Sequence, residues 1–471
     1  MRLMPLQEPT APACASGSLA SDFFFPNIGG IESHLYCLAQ ELILRGHKVI
    51  ILTHTYTNRN KPSPYLPNTR VGVRWLTNGL KVYYIPVVTF SSQATLPALF
   101  GSLALFRDIV IRERIDIVHG HQAFSATCLE SILHARTMGL ATCFTDHSLF
   151  GFKDVGAIAI NKVLKFVLSD VDHVICVSHT SRENTVLRAS LVPQYVSVIP
   201  NAVIADEFTP DPTKVDDQFV TIVSVTRLVY NKGADLLAQV IPIVCSQYPH
   251  VRFLIAGDGA KRVDLEQMRE KHILQDRVTL LGAIPHGRAV RDTLVQGQIF
   301  LNTSLTEAFG TAMIEAACAG LHIVSTRVGG VPELLPDDLI TFSAQAHPMD
   351  LAHALGLAIE KVAVDGFDPW ATHAKVRDMY SWSDVARRTE RVYYGILNRS
   401  KPDWLHRLAL YRTGGPVAGL LFCFVAAVDV MLVTLLDWWR PRDEVDVAPE
   451  FDMHGWRERR TELARAAREG K

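Results

Sequence analysis

Short apolar runs recur along the chain. Val49–Thr53, Val82–Pro86, Ile115–His119 and Val174–Val177 fall in the first half; Phe219–Val225, Phe253–Gly257, Val278–Gly282 and Gln298–Leu301 fall in the second. Each has the length of a buried strand. Between them lie segments suited to helices, among them one ending near Arg45, Leu103–Arg114 and Ala308–Ala319. This alternation predicts parallel sheets with helices on both faces. Polar, Pro-containing Pro210–Asp217 separates the two series as a linker. Residues 21–205 and 206–378 are therefore read as two Rossmann-like α/β domains, followed by a crossover helix and interfacial segment over 379–413. Ala15–Ala20 is small and weakly apolar, a poor first strand, so residues 1–20 are read as a disordered leader without a signal peptide.

The pattern changes near the C-terminus. Gly414–Leu436 is a run of 23 residues with one charge, Asp429. At ~1.5 Å per residue it matches a ~30 Å hydrocarbon core. A central Asp costs about 3 kcal/mol on the insertion scale, and the Leu, Phe and Val content outweighs that. A single transmembrane helix is predicted, with a peripheral helix as the alternative. Asp429 within a span calls for a partner on another membrane subunit. Trp438 and Trp439 suit an interface, and residues 437–471 form a charged tail.

Composition adds limits. The formal net charge of -1 over 471 residues argues against nucleic-acid binding. Eight scattered cysteines with no C-x-x-C pair fit reduced thiols in a cytosol-facing chain.

The candidate chemistry clusters in the second domain. In Ser304–Gly320, Glu307 stands on a loop and Glu315 about two turns into a helix. Amides around Phe309, Gly310 and Thr311 open that helix, a setting that favours a diphosphate. A helical glutamate such as Glu315 can accept hydrogen bonds from a ribose. On spacing alone, two surface glutamates of an amphipathic helix are the better reading, because such pairs are common. Arg227 and Lys232, in Thr226–Gly233, can converge on one anion as a fork and a point charge. In the first domain, Gly29-Gly30 permits close backbone approach to a ligand, and His121 ends a strand at its carboxyl edge. A structural role fits His121 as well. Asp170-Val171-Asp172 spells a metal-binding signature but leads straight into an apolar strand, so it is read as a loop, and no metal or other cofactor is predicted.

Glu307 and Glu315, with Val324–Glu333 after them, resemble the E-x7-E element of retaining glycosyltransferases with the GT-B fold (family 4). Arg227 and Lys232-Gly233 resemble the R-x4-K-G element of the same family. The resemblance implies two Rossmann-like domains facing a cleft. It places His121 and Glu307 on the transferred sugar, Arg227 and Lys232 on the diphosphate, Glu315 on the ribose, the nucleobase near Ile284, and Gly30 against phosphate and acceptor.

The strings S-D-F-F-F-P-N-I-G-G-I-E-S-H, F-T-D-H-S-L-F-G-F, S-V-I-P-N-A-V and S-T-R-V-G-G-V-P-E-L-L-P narrow the likeness over residues 20–440. They are similar to the catalytic-subunit family of phosphatidylinositol N-acetylglucosaminyltransferase. This implies α-linked transfer of N-acetylglucosamine from UDP-GlcNAc to the inositol 6-hydroxyl of phosphatidylinositol, the first step of GPI-anchor synthesis. It also implies a single-pass subunit of a multi-subunit complex on the cytosolic face of the endoplasmic reticulum. A GDP-mannose-dependent lipid mannosyltransferase and a non-catalytic scaffold remain as alternatives.

Overall fold

The computed structural model describes residues 15–27, 29–56, 70–91, 93–150, 155–363, 367–452, 455–456 and 458. In chain order the first domain contains β1 (Ser16–Ala20), α1 (Gly30–Leu44), β2 (Lys48–His54), β3 (Gly72–Trp75), β4 (Lys81–Ile85), β5 (Thr89–Ser91), β6 (Ala94–Thr95) and α2 (Leu103–Arg112). It continues with β7 (Ile117–His121), α3 (Ala126–Thr137), β8 (Ala141–Asp146), α4 (Val155–Leu168), β9 (His173–Cys176), α5 (His179–Ala189) and β10 (Val196–Val198). Its main sheet has the order β10-β9-β8-β7-β1-β2-β4-β3, parallel except at β3.

The second domain runs β11 (Val220–Val225), α6 (Ala234–Gln247), β12 (Val251–Ala256), α7 (Arg262–Lys271), β13 (Val278–Gly282), α8 (Arg288–Leu294), β14 (Ile299–Asn302), α9 (Thr311–Cys318), β15 (His322–Ser325), β16 (Ile340–Phe342), α10 (Pro348–Ala363) and α11 (Pro369–Met379). Its parallel order, β13-β12-β11-β14-β15-β16, is the doubly wound arrangement. The expected architecture is present. α12 (Trp382–Leu397) returns to the first domain, where its Glu390 accepts hydrogen bonds from Arg45 and lies 2.8 Å from the His47 ring nitrogen. α13 (Trp404–Arg412) and α14 (Ala418–Trp439) follow.

Two expectations need correction. Ser16–Ala20 is not a leader: it is a central strand, paired in register with both β2 and β7. Small residues suit that place, because Ser18, Leu19 and Ala20 are fully buried between two strands and the helices on the sheet faces. Asp429, expected to look to another subunit, also has a partner within its own chain. Asp429 is completely buried, and its carboxylate lies 2.6 Å from Nδ1 of His134 on α3. The reading of Asp170-Val171-Asp172 as a loop holds. Arg136 bridges both carboxylates, and Arg407 and Tyr411 donate to Asp170.

Candidate functional site: the crevice between the two sheets

In the second domain the strand order reverses between β11 and β14, and the loops leaving their carboxyl ends are 226–233 and 303–310. The loops interlock. The Leu305 amide donates to the Asn231 carbonyl at 3.0 Å, and the Thr303 hydroxyl donates to the Lys232 carbonyl at 3.0 Å. Gly233 makes this possible: its φ is +67°, and a Cβ there would stand 1.8 Å from the Thr303 carbonyl oxygen. Lys232 and Glu307 form an ion pair of 2.5 Å at the mouth, both partly exposed. The Ser304 hydroxyl reaches the same carboxylate at 3.4 Å. Arg227 leaves the same crevice exposed, with no ion pair among the described residues.

α9 starts after Gly310, whose φ of +103° turns the chain into the helix. Ala308, Phe309 and Gly310 therefore precede the helix, later than expected from propensity. The Phe309 side chain is buried against Tyr380, with ring centroids 5.8 Å apart, so only its backbone faces outward chemistry. Glu315 is buried and lies 3.3 Å from Nε2 of His286. The hydrogen bond and charge of Glu315 raise the His286 pKa above the ordinary 6.5. Ile284, half-buried, stands two residues before His286.

The first sheet reverses between β1 and β7. The chain leaving β1 enters α1 through Gly29-Gly30. A Cβ at Gly30 would meet nothing within 4 Å, whereas one at Gly29 would strike the Glu32 carboxylate. Burial raises the Glu32 pKa, and the positive charge of Arg227, from the other domain, opposes that rise. Beside them lie four histidines. Nδ1 of His121 is 3.2 Å from Nε2 of His147, and His119 lies face-near to His121 at 4.1 Å between ring centroids. Nδ1 of His34 lies 2.8 Å from the Asn201 side-chain oxygen, and the ring sits edge-on to His147 and Trp382. Burial drives His34 down to about 4 and His119 to about 3, and puts His121 and His147 well below the ordinary range. All four are neutral at neutral pH. His34, His121 and His147 bring ring nitrogens within 4.8 Å of one another, compact enough to grip a metal ion. Among the described residues no carboxylate joins them, and the direct His121–His147 contact already ties two of the three together.

A cavity of about 720 Å³ lies between the domains, lined by Gly30, His34, Asn201, His286, Thr311 and Glu315 among others. Arg227, Lys232, Glu307 and His121 are outside its lining. The domains are clasped beside it. Glu333 accepts from the amides of His179 and Thr180 at 2.6 and 2.9 Å, at the start of α5, and from the Thr180 hydroxyl at 2.7 Å. The Ser178 hydroxyl donates to the Ala308 carbonyl at 2.7 Å. Gly330 lets these chains meet, since a Cβ there would stand 2.2 Å from that carbonyl oxygen.

Sequence reasoning missed His34, Glu32, His286 and the Glu333 clasp. His286 carried a usable signal, as a titratable residue just beyond the strand end at Ala283-Ile284. His34 and Glu32, on the first turns after Gly29-Gly30, carried a weaker one.

Comparison with known proteins agrees with this architecture. The family profile described as PIGA (GPI anchor biosynthesis) matches residues 65–154, and Glycosyl transferases group 1 matches residues 206–362. The chain is 54% identical over 430 residues to the phosphatidylinositol N-acetylglucosaminyltransferase gpi3 subunit of Schizosaccharomyces pombe, covering 91% of each chain. A Homo sapiens protein named for the same transferase is 50% identical over 432 residues, covering 91% of this chain and 86% of that one. Among solved structures, sucrose-phosphate synthase from Thermosynechococcus elongatus superposes with a TM-score of 0.65 at 19% identity, covering 82% of this chain and all of the other. HepE from Anabaena, in complex with UDP and glucose, gives 0.61 at 14% identity, covering 81% and 99%. These two likenesses show the GT-B fold.

Proposed function

The chain belongs to the GPI3 family of phosphatidylinositol N-acetylglucosaminyltransferase subunits, and from that premise we propose the reaction and the role of each residue. It is a glycosyltransferase of the first step of GPI-anchor biosynthesis, within a membrane-associated complex. The donor is UDP-GlcNAc, the acceptor phosphatidylinositol, and the new linkage α, with retention. The location is the endoplasmic reticulum, with the catalytic domains facing the cytosol.

The observation that carries the donor assignment is the Lys232–Glu307 pair at the reversal point of the second sheet. Ligands of doubly wound sheets bind there. Incoming diphosphate takes Lys232 from Glu307 and recruits the uncommitted Arg227, so charge on the departing UDP is met by two cations and the amides of Gly310 and Thr311. Released from Lys232, Glu307 accepts from hydroxyls of the transferred sugar. Glu315, with His286 beside it, holds the ribose, and Ile284 lies under the base. His121, neutral, presents a polar edge to the sugar without adding charge. Gly30 leaves room at the junction of phosphate and acceptor.

No side chain here is placed as a nucleophile. The acceptor hydroxyl oxygen bonds to the anomeric carbon on the face UDP leaves. The bond to the β-phosphate oxygen breaks, and the hydroxyl proton passes to a phosphate oxygen. The positive charge supplied by Arg227 and Lys232 makes a metal unnecessary in this scheme.

The test uses microsomes from cells lacking their own enzyme, supplied with this chain. Labelled UDP-GlcNAc yields chloroform-soluble label that unlabelled UDP suppresses and GDP does not. Suppression by GDP instead, with label arriving from GDP-mannose, overturns the donor assignment.

A further inference from the structure

The free edge of the first sheet is closed by arginines. β10 pairs only with β9, so no other strand takes its outer side. Arg182 of α5 donates through Nε to the Val196 carbonyl at 3.0 Å and through a terminal nitrogen to the Pro193 carbonyl at 2.8 Å. Arg388 of α12 donates to the Val198 carbonyl at 2.6 Å. A bare edge invites another strand through its backbone groups. Here those carbonyls are taken, so a visitor along this edge is read by side chains.

Between β10 and α12 runs a groove of about 450 Å³. Among the described residues its lining holds three arginines, Arg388, Arg391 and Arg399, and no carboxylate. Arg391 follows Arg388 by three positions, and Gly395 and Arg399 follow at steps of four, so all lie along one line down the helix and just past its end. Arg388 has Asp384 at 3.8 Å, a loose ion pair. Arg391 and Arg399 are exposed, and neither has an ion pair among the described residues. Arg399 donates to the Asp172 carbonyl and lies over the Tyr195 ring, 4.8 Å from its centroid, so its place is fixed while its charge stays unmatched. Burial, and after it the charge of Arg399, holds His173 of the groove wall down to about 4. A Cβ at Gly395 would meet nothing within 4 Å, so the floor is open there. Arg388 to Arg399 spans about 16 Å at ~1.5 Å per residue, room for roughly five residues of extended chain at ~3.3 Å each.

Guanidinium forks suit carboxylates and phosphates alike. The position of the groove separates the two sources. α3, α4 and α5 cross between β7, β8, β9 and β10 in one direction along the sheet, and α1 crosses from β1 to β2 in the other. Right-handed crossovers therefore put α1 on the face opposite α3, α4 and α5. α12 lies on the α1 face, where its Glu390 holds Arg45 and His47 just after α1. α14, long and apolar enough to cross a bilayer, is entered from the α4 face, where Lys162 donates to the Gly414 carbonyl. The groove thus opens away from the segment suited to lipid. We infer that the groove between β10 and α12 docks an acidic, extended segment of another polypeptide, whose carboxylates pair with Arg391, Arg399 and Arg388. That this polypeptide is a fellow subunit rests on the membership of a complex stated above; the charge of the groove does not.

The test starts with the purified full-length chain in detergent, without donor or acceptor, so it stands apart from the transferase assay. The probe is a fluorescent peptide of glutamates alone. Binding should weaken about tenfold or more in Arg391→Glu, and likewise in Gly395→Glu, whose side chain has room. It should stay within about twofold in Lys271→Glu, a control at an exposed lysine of the other domain. Unchanged binding in the groove variants, or equal loss in the control, overturns the inference. A second arm places photoreactive benzoylphenylalanine at Gly395 in microsomes. An adduct mapped by mass spectrometry to a stretch of another polypeptide, with an acidic residue for each groove arginine, supports the inference. A lipid adduct, a neutral stretch, a second copy of this chain, or no adduct overturns it.

Discussion

Replacing Gly233 with alanine tests whether the two donor loops act as one unit. The residue sits at φ +67°, and a Cβ would lie 1.8 Å from the Thr303 carbonyl oxygen and 2.7 Å from its carbonyl carbon. The left-handed conformation alone costs a side-chain-bearing residue about 1–2 kcal/mol. The larger effect is displacement. Ordinary contact needs about 3.4 Å, so the 230–233 turn must withdraw by more than 1 Å, breaking the Leu305–Asn231 and Thr303–Lys232 hydrogen bonds. A misplacement of that size at a reacting centre costs on the order of 10²-fold, about 2.7 kcal/mol at 1.36 kcal/mol per tenfold. Gly233→Ala is therefore expected to lower kcat/KM for UDP-GlcNAc about 100-fold in microsomes, at an unchanged level of membrane-bound protein. Activity within threefold of wild type would refute the claim that loop interlock positions Lys232.

Other perturbations separate the remaining parts. Gly30→Ala has steric room and no left-handed φ, so folding and protease resistance stay at wild-type values, while KM rises through the lost space at the ligand. Glu333→Ala removes three hydrogen bonds that join the domains; it should cost about 1–3 kcal/mol and be read as a lower Tm with a raised KM. The His286 pKa is raised in the folded chain, so its positive charge, and the stability it brings, is fully present below pH 6.5 and fades as pH rises through the raised value. Glu315→Gln removes the cause, and the alkaline limb of UDP competition should move to lower pH; an unmoved limb would mean His286 plays no part in nucleotide binding.

Much of the second domain was legible because its chemistry is local. Arg227, Lys232 and Glu307 sit on loops directly after apolar strands, and the strand order brings those loops together. The first domain was less legible. His34, His119, His121 and His147 come from different strands and a helix, and only the fold makes them neighbours. β1 escaped because a strand squeezed between two others prefers small side chains, which weaken the apolar signal. In α14, hydropathy alone cannot distinguish a lipid-facing side from a buried seam. Asp429 was the clue, but its partner lies almost three hundred residues earlier, on α3. Glu333 looked like part of a donor motif, and its carboxylate instead caps a helix of the other domain.

The most direct test of the central claim asks whether Lys232 and the fold around it make a glycosylated inositol lipid. Labelled UDP-GlcNAc is given to microsomes carrying the wild-type chain or Lys232→Ala, and the extracted lipid is treated with phosphatidylinositol phospholipase C. The account predicts lipase-sensitive label with the wild type and its near-complete loss in Lys232→Ala. Equal lipase-sensitive label in both would contradict it.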